Sequence, residues 1–142
     1  MEEVLACSAC ATRNRVRRTA SGAPHCGSCG VPLPWLVEAT SAADFAEVAE
    51  RSPLPVLVDF WAPWCGPCRI VGPGVEQAAT RFAGRLKVVK VNTDQAPEVS
   101  SRFGVQGIPT LVVIRAGAVL DRVTGALPAA QLHAWVERTL TG

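Results

Sequence analysis

The chain has 142 residues, of which 49% are apolar, and its formal net charge at neutral pH is only +2. That length and apolar content support one ordinary core plus a small appendage. No stretch approaches the ~20 apolar residues of a membrane span, and the opening MEEVLACSAC is acidic where an export signal is basic, so a cytoplasmic protein without a membrane partner is expected. Six cysteines fall into three Cys-x-x-Cys pairs. In a reducing compartment such pairs read as metal ligands or catalytic thiols before they read as structural disulfides.

Residues 1–34 carry Arg13, Arg15, Arg17 and Arg18 against Glu2 and Glu3, and the rest of the chain carries ten basic and ten acidic side chains. This first segment is rich in Cys, Arg, Gly and Pro, shows no period of helix or strand length, and ends in VPLP, which reads as a linker. Alone it cannot form a core. Cys7-x-x-Cys10 and Cys26-x-x-Cys29, with fifteen residues between the pairs, have the two-knuckle spacing of a four-cysteine zinc ribbon, and Gly27 and Gly30 help the second turn close. His25 could replace a cysteine, but four are already available. Four thiolates around Zn2+ carry a net charge of about minus two, which offsets the arginines. Arg13 to Arg18 are therefore read as a solvated loop, and no nucleic-acid partner is expected. The zinc would either fold a segment too small to hold itself together or act as a redox-sensitive switch.

From Trp35 onward the pattern is regular. A short strand is expected near Leu36 to Glu38, then a helix from Ser41 to Arg51 with Ser41 as N-cap and Phe45, Val48 and Ala49 on one face. Ser-Pro-Leu-Pro breaks it. A strand over Val56 to Trp61, a helix over Cys65 to Phe82, a strand over Leu86 to Asn92 and a short helix near Pro97 to Phe103 follow. Thr110 to Arg115 and Val119 to Thr124 flank an expected hairpin turn at Ala116-Gly117-Ala118, and Pro128 to Leu140 closes as an amphipathic helix on which His133 reads as a surface residue. The order βαβαβαββα specifies an α/β sheet covered on both faces, with an antiparallel edge.

The run LPVLVDFWAPWCGPCR carries the chemistry. Cys65 falls where an apolar strand gives way to a helix, so unpaired N–H groups and the helix dipole favour its thiolate. Pro67 suits the first turn, and Cys68 lies three residues on, within reach. A structural bridge and a zinc half-site are the bland alternatives. Asp59 interrupts this apolar strand as Lys90 interrupts LKVVKVN, and two opposite charges in buried strands suggest a pair inside the sheet near the thiols. Asp59 would take and return the Cys68 proton; a solvated strand end is the alternative.

Residues 36–142 resemble thioredoxin, through VDFWAPWCGPC, Pro73 as a helix kink, KVNTD, GVQGIPT, and Gly125-Ala126 before the last helix. The resemblance implies a thioredoxin fold, a central mixed β-sheet flanked by helices, preceded by the small N-terminal zinc ribbon. The implied domains are residues 1–34 and 35–142. It implies a dithiol-disulfide oxidoreductase with Cys65 as nucleophile, Cys68 as resolving thiol, and Asp59 with Lys90 assisting proton transfer. It further implies that Pro109 is cis and faces the dithiol, where the residues alone suggest only that Pro109 opens a strand. Trp64, Gly66, Pro67, Ile108, Pro109, Gly125 and Ala126 would form an apolar patch for disulfide-containing protein substrates, with the Ile108 backbone free to pair with an extended segment. Trp61 is read as core support. A ribbon before such a domain is similar to the zinc-containing bacterial thioredoxins of the thioredoxin 2 type, which implies cytoplasmic disulfide reduction recharged by thioredoxin reductase; a monomer is expected. Gly72 and Gly74, flanking Pro73, depart from a good helix and are expected to loosen it.

Overall fold

The computed structural model describes residues 2–20 and 22–142. Against expectation, the N-terminal segment contains regular structure: β1 (Glu2–Ala6) and β2 (Arg13–Arg17) pair antiparallel, with Glu3 opposite Val16 and Leu5 opposite Asn14. Each strand buries little besides Leu5 or Val16. Five residues with one buried position leave no alternation to read. The VPLP stretch is no linker either. Leu33 is fully buried and donates its backbone N–H to the Pro24 carbonyl at 2.9 Å, while Pro32 packs against Gly84.

The central sheet explains this embedding. It consists of β3 (Leu36–Ala39), β4 (Val56–Trp61), β5 (Lys87–Asn92), β6 (Thr110–Arg115) and β7 (Ala118–Thr124), in spatial order β3-β5-β4-β6-β7. The first three are parallel and the last two run antiparallel. Alternation sends Val58, Phe60, Val89 and Val91 to one face, and Leu57, Val88, Leu111 and Val113 to the other. On the first face lie α1 (Ala42–Phe45), which continues as a π-helical turn over Ala46–Glu50, and the N-terminal segment. The second face is covered by α2 (Gly66–Arg81), whereas α3 (Pro97–Arg102) contributes Val99 to the first. With α2 on the second face lies α4 (Ala129–Thr141), through Leu132, Trp135 and Val136. Ser41 caps α1 as expected, its hydroxyl accepting the Asp44 N–H at 3.0 Å.

Two lysines three residues apart on β5 face opposite ways. Lys87 points to the first face, 1% exposed, where its ammonium lies 4.2 Å from the Trp35 ring centroid and donates to the Arg18 carbonyl at 2.6 Å. Burial and the Arg18 guanidinium push its pKa down to about 8. Arg18 is correspondingly not part of a solvated loop. It is buried, donates to both Asp44 oxygens at 2.7 and 2.8 Å and to Glu3 at 3.1 Å, and reaches the Glu38 carbonyl. The salt bridge holds Asp44 below the usual carboxylate range. A buried guanidinium needs such a fork of acceptors, because an unpaired one costs several kcal/mol, on the order of 3 to 5.

Gly74 of α2 has a different origin from simple looseness. Gly74 is helical and buried, and a Cβ there would lie 3.3 Å from the Ala129 backbone at the start of α4. His133 is no bystander: its Nε2 sits 2.9 Å from the Gly74 carbonyl, and its ring meets Phe82 edge-on. Gly74 thus sets the approach of α2 to α4. Gly74→Ala is expected to lower the melting temperature by a few degrees, since overpacking against backbone, typically about 1 to 3 kcal/mol, outweighs the helix-propensity gain of about 0.5 to 1 kcal/mol; thermal unfolding checks this, and a rise would refute it.

Candidate active site and metal centre

Strand β4 delivers the chain to the site. After Trp61 the backbone turns through Ala62 to Trp64, and Cys65 takes the N-cap of α2, with the Cys68 N–H donating to its Sγ at 3.2 Å. An acceptor at that position is stabilised as an anion, since the helix N-terminus presents unpaired N–H groups and partial positive charge. Cys65 and Cys68 are joined as a disulfide, Cα to Cα 5.3 Å, and both are nearly buried. Pro67 occupies the first turn, where it lacks only an N–H that has no helical partner. Arg69 braces the loop by donating to the Pro63 carbonyl at 2.7 Å.

The Ile108–Pro109 peptide bond is cis. It puts the Ile108 carbonyl 3.9 Å from the Cys65 sulfur. Gly125, at φ +106°, donates its N–H to the Pro109 carbonyl at 2.9 Å, bringing Gly125 and exposed Ala126 to the same rim. A side chain at that φ would be strained, so glycine is required. Trp64 is 68% exposed and its indole N–H donates to Asp94 at 3.1 Å. Neither backbone group of Ile108 has a backbone partner among the described residues.

Asp59 lies behind the thiols, 1% exposed, and its Oδ1 has no hydrogen-bond partner among the described residues. Register places it directly opposite Lys90 on β5 and Leu111 on β6. The expected direct Asp59–Lys90 ion pair does not form. The Lys90 ammonium instead lies 4.0 Å from Glu76 of α2, and 5.0 Å from the Trp61 ring centroid. A cavity of about 240 Å3 joins these groups, lined by Asp59, Cys68, Gly72, Glu76, Lys90 and Trp61 among others. Burial pushes the Asp59 carboxyl up to about 6, with Lys90 opposing the rise and Glu38 and Glu76 adding to it.

The second cysteine group forms on the N-terminal segment. The sulfurs of Cys7, Cys10, Cys26 and Cys29 all lie within 4.8 Å of one another, with Cys7–Cys29 and Cys10–Cys26 each at 3.6 Å. Four thiolates bound ~2.3 Å from a tetrahedral zinc would be ~3.8 Å apart, so the donor set fits that ion. Amides point inward as in a thiolate cage, from Ala9 to Cys7 and from Ser28 to Cys26, both at 3.4 Å. The Cys29 amide, joined by the Ser28 amide and the Asn14 side chain, pulls the Cys26 thiol down to about 6 against the effect of burial. Cys29 goes the other way, to about 11: the Val31 amide lowers it, but the thiol shared with Cys7, burial and the other sulfurs raise it more. Without a cation the four cannot all ionise together. His25 is not in the group; its Nδ1 sits 2.9 Å from the Ala23 carbonyl.

A family model described as Thioredoxin matches residues 35–138. The chain belongs to the thioredoxin family. It is 52% identical over 96 residues to "Thioredoxin 1" of Nostoc sp., covering 68% of this chain and 90% of the relative. The thioredoxin of Synechocystis sp. is 48% identical over 100 residues, 70% of this chain and 94% of the relative. That of Haemophilus influenzae is 45% identical over 96 residues, 68% and 90%. The protein is therefore a thiol-disulfide oxidoreductase with a thioredoxin fold, and the four-cysteine group lies outside the family match. No helix among the described residues is long and apolar enough to cross a membrane.

Within this thioredoxin the structure also gathers residues that sequence reading passed over: Glu76, Arg69 and Asp94. Glu76 had a signal, since Cys68, Gly72 and Glu76 follow at i, i+4 and i+8 and so share one helical stripe. The Asp59 value has a consequence for stability. Its folded pKa lies above the unfolded ~3.9, so the native state holds more protons between those values and loses stability as pH rises from about 4 to about 6, by roughly 3 kcal/mol at most. Asp59→Asn is expected to raise the melting temperature at pH 7.5 and to leave it nearly unchanged below pH 4; equal effects at both pH values would contradict the buried-carboxylate account.

Proposed function

We propose that the chain reduces protein disulfides in the cytoplasm, cycling Cys65 and Cys68 between dithiol and disulfide, and acts as a monomer recharged by thioredoxin reductase. The observation that carries this reading is Cys65 at the N-cap of α2, its sulfur met by the Cys68 N–H at 3.2 Å and faced by the Ile108 carbonyl. A sulfur so placed is stabilised as thiolate, the form that attacks a substrate disulfide. The Cys65 thiolate displaces one substrate thiolate and forms a mixed disulfide. Cys68 then passes its proton to Asp59 and attacks the Cys65 sulfur, which re-forms the internal disulfide and expels the second substrate thiolate. Asp59 fits this role because it shares a cavity with Cys68 and its carboxyl is pushed up to about 6 by burial, near the pH at which it must exchange protons.

Trp64, Gly66, Pro67, Ile108, Pro109, Gly125 and Ala126 are the proposed substrate surface. Its exposed indole and the Ile108 backbone, which has no backbone partner among the described residues, suit an extended polypeptide held by main-chain hydrogen bonds, so specificity for substrate side chains should be broad. The measurement to make is the reduction potential of the Cys65–Cys68 pair against a thioredoxin or glutathione reference. A value near ~-270 mV supports a reductase, whereas one near ~-120 mV identifies an oxidant. In parallel, Cys65→Ser should abolish reduction of a model protein disulfide, and Cys68→Ser should accumulate the mixed disulfide.

For residues 1–34 we propose a zinc ribbon of the thioredoxin 2 type, with Cys7, Cys10, Cys26 and Cys29 as ligands. Bound zinc would supply charge neutralisation and a cross-link, with no electron transfer of its own. The flanking residues Leu5, Val16 and Leu33 join the core that includes Trp35 and Phe45, which supports a structural role. Metal analysis should return one zinc per chain, falling to none in Cys26→Ser, and chelation should lower the melting temperature; a zinc-free protein of unchanged stability would overturn this assignment.

A further inference from the structure

Lys90 stands among three carboxylates. On the α2 side of the sheet, Glu38, Lys90, Asp59 and Leu111 form one row across β3, β5, β4 and β6, and Glu76 reaches down from α2. Glu38 is exposed at the outer end of the row, and Leu111 closes the inner end with an apolar side chain. Arg69 and Cys68 complete the polar or reactive groups lining the cavity from α2. Asp59 is closed in at 1% exposure, whereas the Glu76 side chain is 58% exposed. The amine between them lies 4.0 Å from Glu76, and Asp59 Oδ1 is left without a partner.

We propose that Glu76 is a positioning residue for the resolving step: it draws the Lys90 ammonium toward the mouth of the cavity and so leaves Asp59 free to take up and release the Cys68 proton. This rests on the reading of Asp59 as the acid/base. The physical reason is competition for one cation. From where it stands the Lys90 ammonium already opposes the rise of the Asp59 pKa, and a direct contact would lower it further, which would keep Asp59 ionised and make it a poor proton acceptor at neutral pH. Glu76 offers the same cation a partner in solvent. Because Glu76 is more than half exposed, water screens its direct field at Asp59, and its influence runs mainly through where Lys90 points.

Bond by bond, the Cys68 S–H proton moves to Asp59 as the Cys68–Cys65 bond forms and the Cys65–substrate bond breaks. The electron pair leaves on the substrate sulfur, which solvent protonates. Asp59 then returns its proton to solvent through the cavity. Gly72 keeps that route open, since its position between Cys68 and Glu76 on the helix stripe carries no side chain and nothing else lies within 4 Å of where a Cβ would be.

The test follows the Asp59 carboxyl by 13C NMR titration of the reduced protein, alongside the pH profile of disulfide reduction. It compares the wild type with Glu76→Gln, Glu76→Asp, Lys90→Met, the Glu76→Gln/Lys90→Met double variant and Asp59→Asn. Glu76→Gln is expected to lower the Asp59 midpoint by roughly one pH unit and to move the acid limb of the profile with it. Glu76→Asp should retain most of the wild-type midpoint. In the Lys90→Met background the Glu76→Gln shift should vanish. A shift that persists there, or no shift from Glu76→Gln at all, overturns the proposal while leaving Asp59 as the acid/base intact. A profile unchanged in Asp59→Asn overturns both readings together.

Discussion

A carboxyl group walled into the middle of an apolar sheet is the constraint on which the rest of this site depends. Asp59 occupies a position where burial favours Val or Leu, and a charge there costs stability unless something nearby offsets it. Parallel strand register sets Lys90 opposite Asp59 on β5, where it lowers that cost only in part and without a direct ion pair. The same burial holds the carboxyl in the range where protonated and ionised forms exchange, and the cavity beneath α2 gives it a path to Cys68 and to solvent. Cost and chemistry thus come from one placement, a common arrangement at sites that move protons.

Strand parity extends this logic to the other side of the sheet. Lys87 and Lys90 stand an odd number of residues apart on β5, so the pleat sends them to opposite faces. One lines the cavity shared by Asp59 and Cys68. The other is buried against Trp35 and grips the Arg18 carbonyl, while the Arg18 side chain holds Glu3 and Asp44. The N-terminal segment is therefore joined to the thioredoxin fold through polar groups that are nearly all partnered, beside the apolar contacts of Leu5, Val16 and Leu33.

Much of the fold was legible because its signals are local. The buried run VLVDFW, the N-cap Ser41, Cys65-Gly-Pro at a strand-to-helix turn and the hairpin at Ala116-Gly117 each carry their own physical mark, and their elements appear within a residue or two of expectation. The four-cysteine group was legible from spacing, since Cys-x-x-Cys knuckles leave few other closures. What escaped was non-local. The β1–β2 pair buries one side chain per strand and owes its order to the packing around it. Arg18 looked like one of several surface arginines because Asp44 and Glu38 lie far along the chain. The preference of Lys90 for Glu76 over Asp59 is decided by where a helix passes above a sheet, which no strand pattern encodes. The cis bond before Pro109 became an expectation only through family resemblance.

The similarity to thioredoxins begins at Trp35, but the packing does not begin there. Excising the preceding residues would do more than trim a metal-binding arm: it would open one face of the sheet to water, baring the Trp35 ring and the side chains that Leu5, Val16 and Leu33 now cover. Asp44 would lose its guanidinium, and Lys87 its carbonyl. A fragment starting at that boundary would keep a complete dithiol yet expose an apolar, mismatched surface on the side of the molecule opposite to α2, so the limit of the family match and the limit of the packed core are different places on this chain.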